Sequence, residues 1–170
     1  MKFPFNRAMA FLIVSSAFLL AVTSCKKSNS NGSGSGSMSA SIGGTAWANN
    51  YPLIGFYASS SGVGLFDIVG LQFKSGDSTT FDLEFGTPIT LNHPVSSDTS
   101  AFIAAYTDSK TQADYGVLPG FGDAVLTITS YDSTGHTIAG TFSGVLYNLS
   151  TFTDSLVVTN GKFNSSFTVN

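Results

Sequence analysis

Apolar and polar residues alternate along most of the chain beyond residue 37. Residues 80–85 read Thr-Phe-Asp-Leu-Glu-Phe, with a large apolar residue at every second position. Because successive side chains of a strand point to opposite faces, a period of two predicts a half-buried β-strand. The alternation recurs in 102–106, 126–129, 138–146 and 163–169. After residue 25 no stretch has the apolar spacing of a helix, so the pattern predicts an all-β domain.

Turn-forming residues separate the predicted strands. Asn160-Gly161 is the strongest local signal, because both residues tolerate the positive φ of a two-residue type I′ turn. It predicts a hairpin between 155–159 and 162–169. The runs 75–78 (Ser-Gly-Asp-Ser) and 132–135 (Asp-Ser-Thr-Gly) predict two more hairpins. Short connections favour antiparallel neighbours, and about nine or ten such strands fit either an antiparallel β-sandwich or a closed β-barrel.

A different pattern occupies the start of the chain. Two positive charges lie within residues 1–7, and residues 8–22 are apolar apart from two serines. This apolar run is shorter than the roughly 20 residues of a membrane-spanning helix and is typical of a secretory signal peptide. An uncleaved membrane anchor is the alternative. Cleavage is favoured because small residues and a cysteine, rather than a stop-transfer pattern, end the run.

Val22-Thr23-Ser24-Cys25 resembles the lipobox of bacterial lipoproteins, in which an aliphatic residue and two small residues precede a cysteine. In that family the cysteine thiol takes a diacylglyceryl group, the signal peptide is cleaved before it, and the new amino terminus is often acylated. The resemblance therefore implies removal of residues 1–24 and lipidation of Cys25 by fatty acids such as palmitate. Several acyl chains together give a stable membrane anchor. Cys25 is the single cysteine, which excludes an intramolecular disulfide.

The segment after Cys25 has the composition of a tether. Residues 26–37 contain Lys, Ser, Asn and Gly and no apolar residue, so we expect a flexible coil that spans about 20 Å on average and roughly 40 Å at full stretch. The predicted organisation is a signal peptide (1–24), an acylated cysteine with tether (25–37) and one β domain (38–170). The lipoprotein resemblance also implies a location. No aspartate follows Cys25, which favours the outer membrane, and the lysines at positions 26 and 27 favour a periplasm-facing orientation over the cell surface.

The charge of the β domain restricts its partners. Charged residues make up 10% of the chain, against about 25% in typical soluble domains. From residue 38 on, three lysines stand against all ten acidic residues of the chain. A surface of this kind argues against binding to nucleic acid and against attraction to anionic lipid. We therefore expect the protein to contact the membrane through the lipid on Cys25.

Three segments of the β domain carry a second resemblance. Residues 41–48 (Ser-Ile-Gly-Gly-Thr-Ala-Trp-Ala) are similar to the start of small uncharacterised lipoprotein domains of Bacteroidota-type bacteria. Residues 138–143 and 158–163 resemble the end of the same domains. The resemblance implies an all-β, lipid-anchored domain. It transfers no active site, because the matching motifs are mostly structural.

Residues able to carry catalysis or bind metal are sparse. His93 and His136 are the only histidines, and a zinc site would need three or four ligands at recognisable spacing. Ser-His-Asp triads are recognised by geometry rather than order, yet the chain lacks the Gly-x-Ser-x-Gly elbow. Asp108 and Asp114 lack the dense acidic spacing of a dedicated calcium site. We predict no catalytic residue, no metal, no cofactor and no enzymatic activity.

Trp47, Asn49 and Tyr51 form the most suggestive cluster, together with Asn50. Aromatic faces beside amide groups suit stacking on sugar rings while hydrogen-bonding their hydroxyls. The alternative is that Trp47 plugs one end of the β domain, its indole N–H bonded to the backbone. The glycine-rich run 118–122 is a second potential recognition loop.

Three Asp-Ser pairs resemble the acceptor motif of Bacteroidota-type protein O-glycosylation. They stand at 77–79 (Asp-Ser-Thr), 132–134 (Asp-Ser-Thr) and 154–156 (Asp-Ser-Leu). The resemblance implies glycosylation of one or more of Ser78, Ser133 and Ser155. The alternative is that Asp-Ser pairs are simply good turn formers.

These observations predict a lipid-anchored protein of the cell envelope that acts as a non-catalytic binding or structural module. Its partner would be a glycan, a peptide or another envelope protein. Two alternatives stay open. A barrel with an interior lined by Phe81, Phe102 and Phe142 would carry a small apolar ligand, and dispersed residues would form the site of a hydrolase.

Overall fold

Strands account for nearly all the regular structure of the β domain. The computed structural model describes residues 36–60, 63–98, 102–117 and 122–169. Of these residues 71% lie in strands and none in a helix, which confirms the predicted all-β class. The strands are β1 (Ser37–Ile42), β2 (Thr45–Ala48), β3 (Ile54–Ser60), β4 (Val63–Lys74), β5 (Asp77–Gly86), β6 (Pro94–Ser96), β7 (Phe102–Asp108), β8 (Ala113–Gly116), β9 (Asp123–Asp132), β10 (Thr137–Asn148), β11 (Ser155–Ser166) and β12 (Thr168–Val169).

Several predicted features lie outside these residues. They are the signal peptide, Cys25, all but the last two residues of the tether, and 118–121 of the glycine-rich loop. In the described part of the chain, no helix is long and apolar enough to cross a membrane.

The strands belong to one open mixed sheet. Its order is β12-β3-β4-β5-β7-β8-β10-β11-β1-β2, with β9 beside β10 and β6 beside β9. The pairing of β12 with β3 is parallel, whereas consecutive strands such as β3–β4 and β4–β5 pair antiparallel. The half from β12 to β8 and the half from β10 to β2 both contribute side chains to one core. The architecture is therefore sandwich-like, and the sheet does not close into a barrel.

Aromatic rings fill the space between the two halves. Phe81 of β5 and Phe142 of β10 pack with their ring centroids 4.8 Å apart. Phe66 of β4 packs edge-on against Phe167, 5.1 Å away. Phe102 is also buried. Because Phe81 and Phe142 touch, side chains occupy the place where the apolar-carrier alternative would need room for a ligand.

Two of the three predicted hairpins are confirmed. Ser75 and Gly76 form the tight turn between β4 and β5 with φ of 41° and 92°, as a type I′ turn requires. Asp132 ends β9, and its Oδ1 accepts hydrogen bonds from the N–H groups of Thr134 and Gly135 at 2.9 Å each. Those bonds hold the β9–β10 turn that the 132–135 run predicts.

The predicted hairpin at Asn160-Gly161 is wrong. Both residues lie inside β11, where Phe142 pairs with Gly161 but Gly144 pairs with Val158. The strand thus contains one residue more than its partner, which is a β-bulge, and the left-handed conformation of Asn160 (φ 54°) accommodates it. A bulge and a type I′ turn both need positive φ, so the local signal fits either. Residues 149–154 connect β10 to β11 instead.

Five pairings join strands that are not consecutive in the chain. They are β5–β7, β6–β9, β8–β10, β1–β11 and β3–β12. The sequence predicts about nine or ten strands, and the described residues contain twelve, because short strands such as β6 and β12 count separately. Val169 shares the predicted apolar face of the alternating segment 163–169, but it is 54% exposed because it ends the two-residue edge strand β12.

Candidate functional site

A cleft of about 200 Å³, which we name the end cleft, opens at one end of the sandwich. The chain reaches it three times: through β1 and β2, through the β4–β5 hairpin, and through β7 with the turn that follows. The residues that line it are Ile42, Thr45, Ala46, Trp47, Gln72, Lys74, Asp77, Thr79, Tyr106, Asp108 and Lys110. Aromatic, hydroxyl, amide and charged groups therefore face one small volume.

The floor of the end cleft is a hydrogen-bonded aromatic unit. Trp47 is 5% exposed and packs on Phe81 with ring centroids 5.9 Å apart. Its indole N–H donates to Thr79 Oγ1 at 2.7 Å, and the Thr79 side chain hydrogen-bonds Tyr106. Burial, and then the charge of Asp108, raise the pKa of Tyr106. The tyrosine hydroxyl, whose ordinary pKa is already 10.0, is protonated at neutral pH and can donate a hydrogen bond.

Two lysines and two aspartates form the charged wall of the end cleft. Lys110 Nζ lies 3.5 Å from Asp77 Oδ2. Lys74 is the cross-strand partner of Asp77 in the β4–β5 hairpin. Asp108 Oδ1 accepts a hydrogen bond from the backbone N–H of Lys110 at 2.9 Å. The wall thus presents cationic donors and anionic acceptors side by side, in equal number.

The structure does not bring Trp47, Asn49 and Tyr51 together as one site. Trp47 lies in the cleft floor. The side chain of Asn49 instead forms hydrogen bonds with backbone groups. Its Oδ1 accepts a hydrogen bond from the Met38 N–H at 2.6 Å, and its Nδ2 donates one to the Tyr51 carbonyl at 2.7 Å. Tyr51 is 56% exposed and packs edge-on against Phe73, 5.5 Å away. Since Phe73 alternates along β4 with cleft-lining residues, the Tyr51–Phe73 pair lies on the opposite face of the sheet.

Trp47 is buried, as expected if it plugs one end of the β domain. The indole faces are packed in the core, so they are not available for stacking on a sugar. The indole N–H differs from the expectation in one respect, because it bonds the Thr79 side chain rather than a backbone group. The binding groups of the end cleft are therefore mainly its polar walls.

Sequence reasoning assigned neither Lys74 nor Lys110 to a site, and it weighed Asp108 only as a calcium ligand. Lys74 and Lys110 are two of the three lysines after residue 38, and both face this one volume. Because lysines are so scarce in the β domain, two of them at one site are a signal of that site that composition offers. Local sequence could also predict that Lys74 lies opposite Asp77, because a two-residue turn separates them. The approach of Tyr106 and Lys110 could not be predicted locally, because it requires the pairing of β5 with β7.

A second cluster that sequence reasoning missed lies on the opposite face of β4 and β5. Asp67 is the cross-strand partner of Glu84, and the carboxyl of Asp82 hydrogen-bonds that of Asp67. Burial raises the pKa of Asp67. Burial, and then the charge of Asp67, raise the pKa of Glu84 to about 7. In the sequence these carboxylates occupy ordinary polar positions of alternating strands, so nothing local indicates that they form a cluster.

The two histidines and Asp114 belong neither to the end cleft nor to the carboxylate cluster, whereas Asp108 lines the end cleft. His93 and His136 are exposed, and His136 lies against Phe167 with ring centroids 5.3 Å apart. Asp108 holds its own turn through backbone N–H groups. Across the described ranges, no group of three or more His, Cys, Asp or Glu residues is placed to hold a metal ion.

The three serines of the Asp-Ser pairs differ in exposure. Ser133 is exposed in the β9–β10 turn, and Ser155 is exposed at the start of β11. Ser78 is half-buried in β5, and its N–H donates to Ser109 Oγ at 2.8 Å. Ser133 and Ser155 are thus the more accessible of the three to a modifying enzyme.

Comparison with protein-family models, with curated protein sequences and with solved structures finds no match to this chain. A functional conclusion therefore depends on the residues and on the geometry described above.

Proposed function

We propose that this chain is a lipid-anchored protein of the bacterial cell envelope whose β domain acts as a non-catalytic binding module. The lipobox resemblance at Cys25 supports the anchor, and the tether supports a domain held away from the bilayer. The observation that carries the binding role is the end cleft, where paired charges surround a hydrogen-bonded aromatic floor. Concave sites with a few convergent polar groups are where proteins usually bind ligands.

The size of the end cleft favours recognition of one unit of a larger partner. Its volume of about 200 Å³ is below the range of roughly 300–1,000 Å³ that holds a drug-sized ligand. A single sugar of a glycan, or one side chain of an envelope protein, matches this size. The outer membrane, with the domain facing the periplasm, is the location that the sequence favours.

A hydrolase is the second candidate, and one observation favours it. The carboxyls of Asp67, Asp82 and Glu84 lie together, and the raised pKa values of Asp67 and Glu84 are of the kind found at catalytic sites. If these residues hydrolyse envelope glycans, Asp67→Asn will abolish release of reducing ends from purified envelope polysaccharide. Equal release by the wild type and this variant would remove the candidate.

The lipid anchor predicts a specific effect of Cys25→Ala. Cells that express the wild type and are fed labelled palmitate will yield a labelled membrane-bound protein. Cys25→Ala will lose the label and leave the membrane fraction, since the thiol is the acylation site. Globomycin, which blocks the lipoprotein signal peptidase, will cause the wild type to accumulate with its signal peptide. Unchanged labelling of Cys25→Ala would refute the anchor.

The binding role predicts that variants in the end cleft will lose the partner while keeping the fold. We suggest sedimentation of the full chain with envelope polysaccharide and, separately, with purified envelope proteins. The variants Asp77→Asn and Lys110→Met remove the ion pair of the cleft wall, and we expect at least a tenfold loss of bound protein. Lys162→Met is a matched control on β11. Equal binding by all four proteins would exclude the cleft as the site.

We also propose O-glycosylation at one or more of Ser78, Ser133 and Ser155. The exposure of Ser133 and Ser155 supports these two positions over Ser78. Intact-mass analysis of protein from the native host will show hexose-spaced additions, and Ser133→Ala with Ser155→Ala will remove most of them. A mass equal to that of the lipidated chain alone would exclude the modification.

A further inference from the structure

The polar groups of the end cleft point to a specific class of ligand. We infer that the cleft binds a neutral sugar through two adjacent hydroxyls, one bound to Asp77 and the other to Lys110. This inference rests on the proposed function, because it names the ligand of the same site.

The charges of the cleft favour a neutral ligand. Lys74 and Lys110 stand beside Asp77 and Asp108 around one small volume. An anion would gain from the lysines and be repelled by the two aspartates, and a cation would meet the reverse. The β domain as a whole has a large excess of acidic residues, so an anion would also be repelled on approach. A neutral molecule meets neither penalty.

The arrangement of the ion pair matches adjacent hydroxyls. Asp77 Oδ2 and Lys110 Nζ are 3.5 Å apart, which places a strong acceptor and a strong donor next to each other. A hydroxyl both donates and accepts, so one sugar hydroxyl can donate to Asp77 while its neighbour accepts from Lys110. Hydrogen bonds to charged groups are about twice as strong as those between neutral groups. The exposure of both side chains, 69% for Lys110 and 42% for Asp77, leaves them accessible.

The floor supplies a rigid surface and one further donor. Trp47, Thr79 and Tyr106 are linked by hydrogen bonds, so little ordering of these side chains is needed when a ligand binds. The protonated Tyr106 hydroxyl can donate to a ring or hydroxyl oxygen. Gln72 is partly held, since its Nε2 donates to the Ala48 carbonyl at 2.7 Å, and its side-chain oxygen is an additional acceptor.

Trp47 provides a direct measurement of binding because it is the single tryptophan of the chain. The full-length protein, extracted in a detergent without a sugar headgroup, is titrated with the methyl glycosides of glucose, galactose and mannose while indole fluorescence is recorded. Glucuronate and glucosamine serve as the matched anionic and cationic probes. We expect a saturable change with at least one neutral glycoside, and at least tenfold weaker binding of the charged sugars.

Substitutions test whether the fluorescence change depends on the proposed contacts with Asp77 and Lys110. Asp77→Asn and Lys110→Met each remove one charged partner, and we expect each to weaken binding of the neutral glycoside about tenfold or more. Lys162→Met leaves the cleft intact and should bind like the wild type. Circular dichroism and the midpoint of thermal unfolding confirm that the variants are folded. Binding unchanged in both cleft variants would overturn the inference.

The outcomes separate this inference from the proposed function. Preferential binding of glucuronate or glucosamine would overturn the neutral-sugar assignment and leave a binding module with a charged ligand. No fluorescence change with any neutral glycoside would also overturn the assignment. If, in addition, Asp77→Asn and Lys110→Met bind envelope fractions like the wild type, the proposed function fails as well.

Discussion

Glu84 shows how the environment of one side chain changes its chemistry. It is half-buried on the sheet face opposite the end cleft, with Asp67 as its cross-strand partner. Removal from water disfavours its charged form, and the negative charge of Asp67 adds to the effect. The pKa of Glu84 is therefore raised from 4.5 to about 7. No property of the glutamate in isolation predicts this value.

The raised pKa of Glu84 makes stability depend on pH. Below about pH 4.5 the folded and unfolded chains both hold the proton, so the group changes nothing. As the pH rises from 4.5 to 7, the unfolded chain ionises first, and the free energy of unfolding falls. Glu84→Gln should therefore stabilise the protein at pH 8 by about 1 kcal/mol, after allowance for solvent screening, and leave it unchanged at pH 4.5.

Thermal unfolding followed by circular dichroism at pH 4.5 and pH 8 checks this prediction. An increase of roughly 3 °C in the midpoint is expected at pH 8 only. Asp98→Asn, at an exposed turn position, is the matched control and should show no such difference. A Glu84→Gln effect of equal size at both pH values would contradict the assignment.

Ser133 and Trp47 show which structural features can be predicted from local sequence and which cannot. The Asp132-Ser133 pair predicts a turn from its side-chain chemistry alone, and the structure has that turn. The sequence around Trp47 is compatible with both a surface stack and a core plug. Its burial depends on Phe81 and Thr79, which are distant in the chain. Local sequence therefore predicted the turn, and only packing decided the role of the indole.

Strand β11 shows the same limit for a whole element. Asn160 and Gly161 carry a signal that usually marks a hairpin, yet β11 runs through them from Ser155 to Ser166. Partner strands on both sides, β10 and β1, pair with β11 across the bulge. Pairing on two sides stabilises the continued strand more than a turn would. The position of a bulge thus depends on neighbours that local sequence does not specify.

The left-handed conformation of Asn160 predicts opposite results for two substitutions. Asn160→Val places a β-branched residue at φ 54° and should lower the free energy of unfolding by about 1–2 kcal/mol. Asn160→Gly suits the same conformation and should change it by no more than about 0.5 kcal/mol. Urea unfolding measures both. Equal stability of the two variants would show that the bulge does not require positive φ at this residue.

At the scale of the whole molecule, aromatic contacts join the two halves of the sheet. The pair Phe81–Phe142 connects β5 to β10, and Phe66–Tyr131 connects β4 to β9. These contacts bury large rings from distant parts of the sequence in one core. They also place the Trp47 floor of the end cleft, because the indole packs on Phe81.

The contact between Phe81 and Phe142 predicts coupled effects of substitution. Phe81→Leu and Phe142→Leu should each destabilise the protein by roughly 1–2 kcal/mol, and their combination should deviate from additivity by about 0.5–1.5 kcal/mol. Phe167→Leu is the control, because the Phe167 ring contacts Phe66. The loss of stability that it causes should be nearly additive with that of Phe81→Leu. A double-mutant cycle from urea unfolding measures the coupling. Strict additivity for Phe81 and Phe142 would argue against their contact.

The alternation of residues such as Phe81, Leu83 and Phe85 by itself determined the all-β class, because the period of side-chain directions in a strand is local geometry. In the same way the Ser75-Gly76 turn determined the hairpin that places Lys74 opposite Asp77. Only the tertiary structure decided strand order, the bulge in β11 and the end cleft. These features depend on pairing between segments far apart in the chain, where many registers satisfy the same local pattern. Burial in the assembled sheet selects one of them.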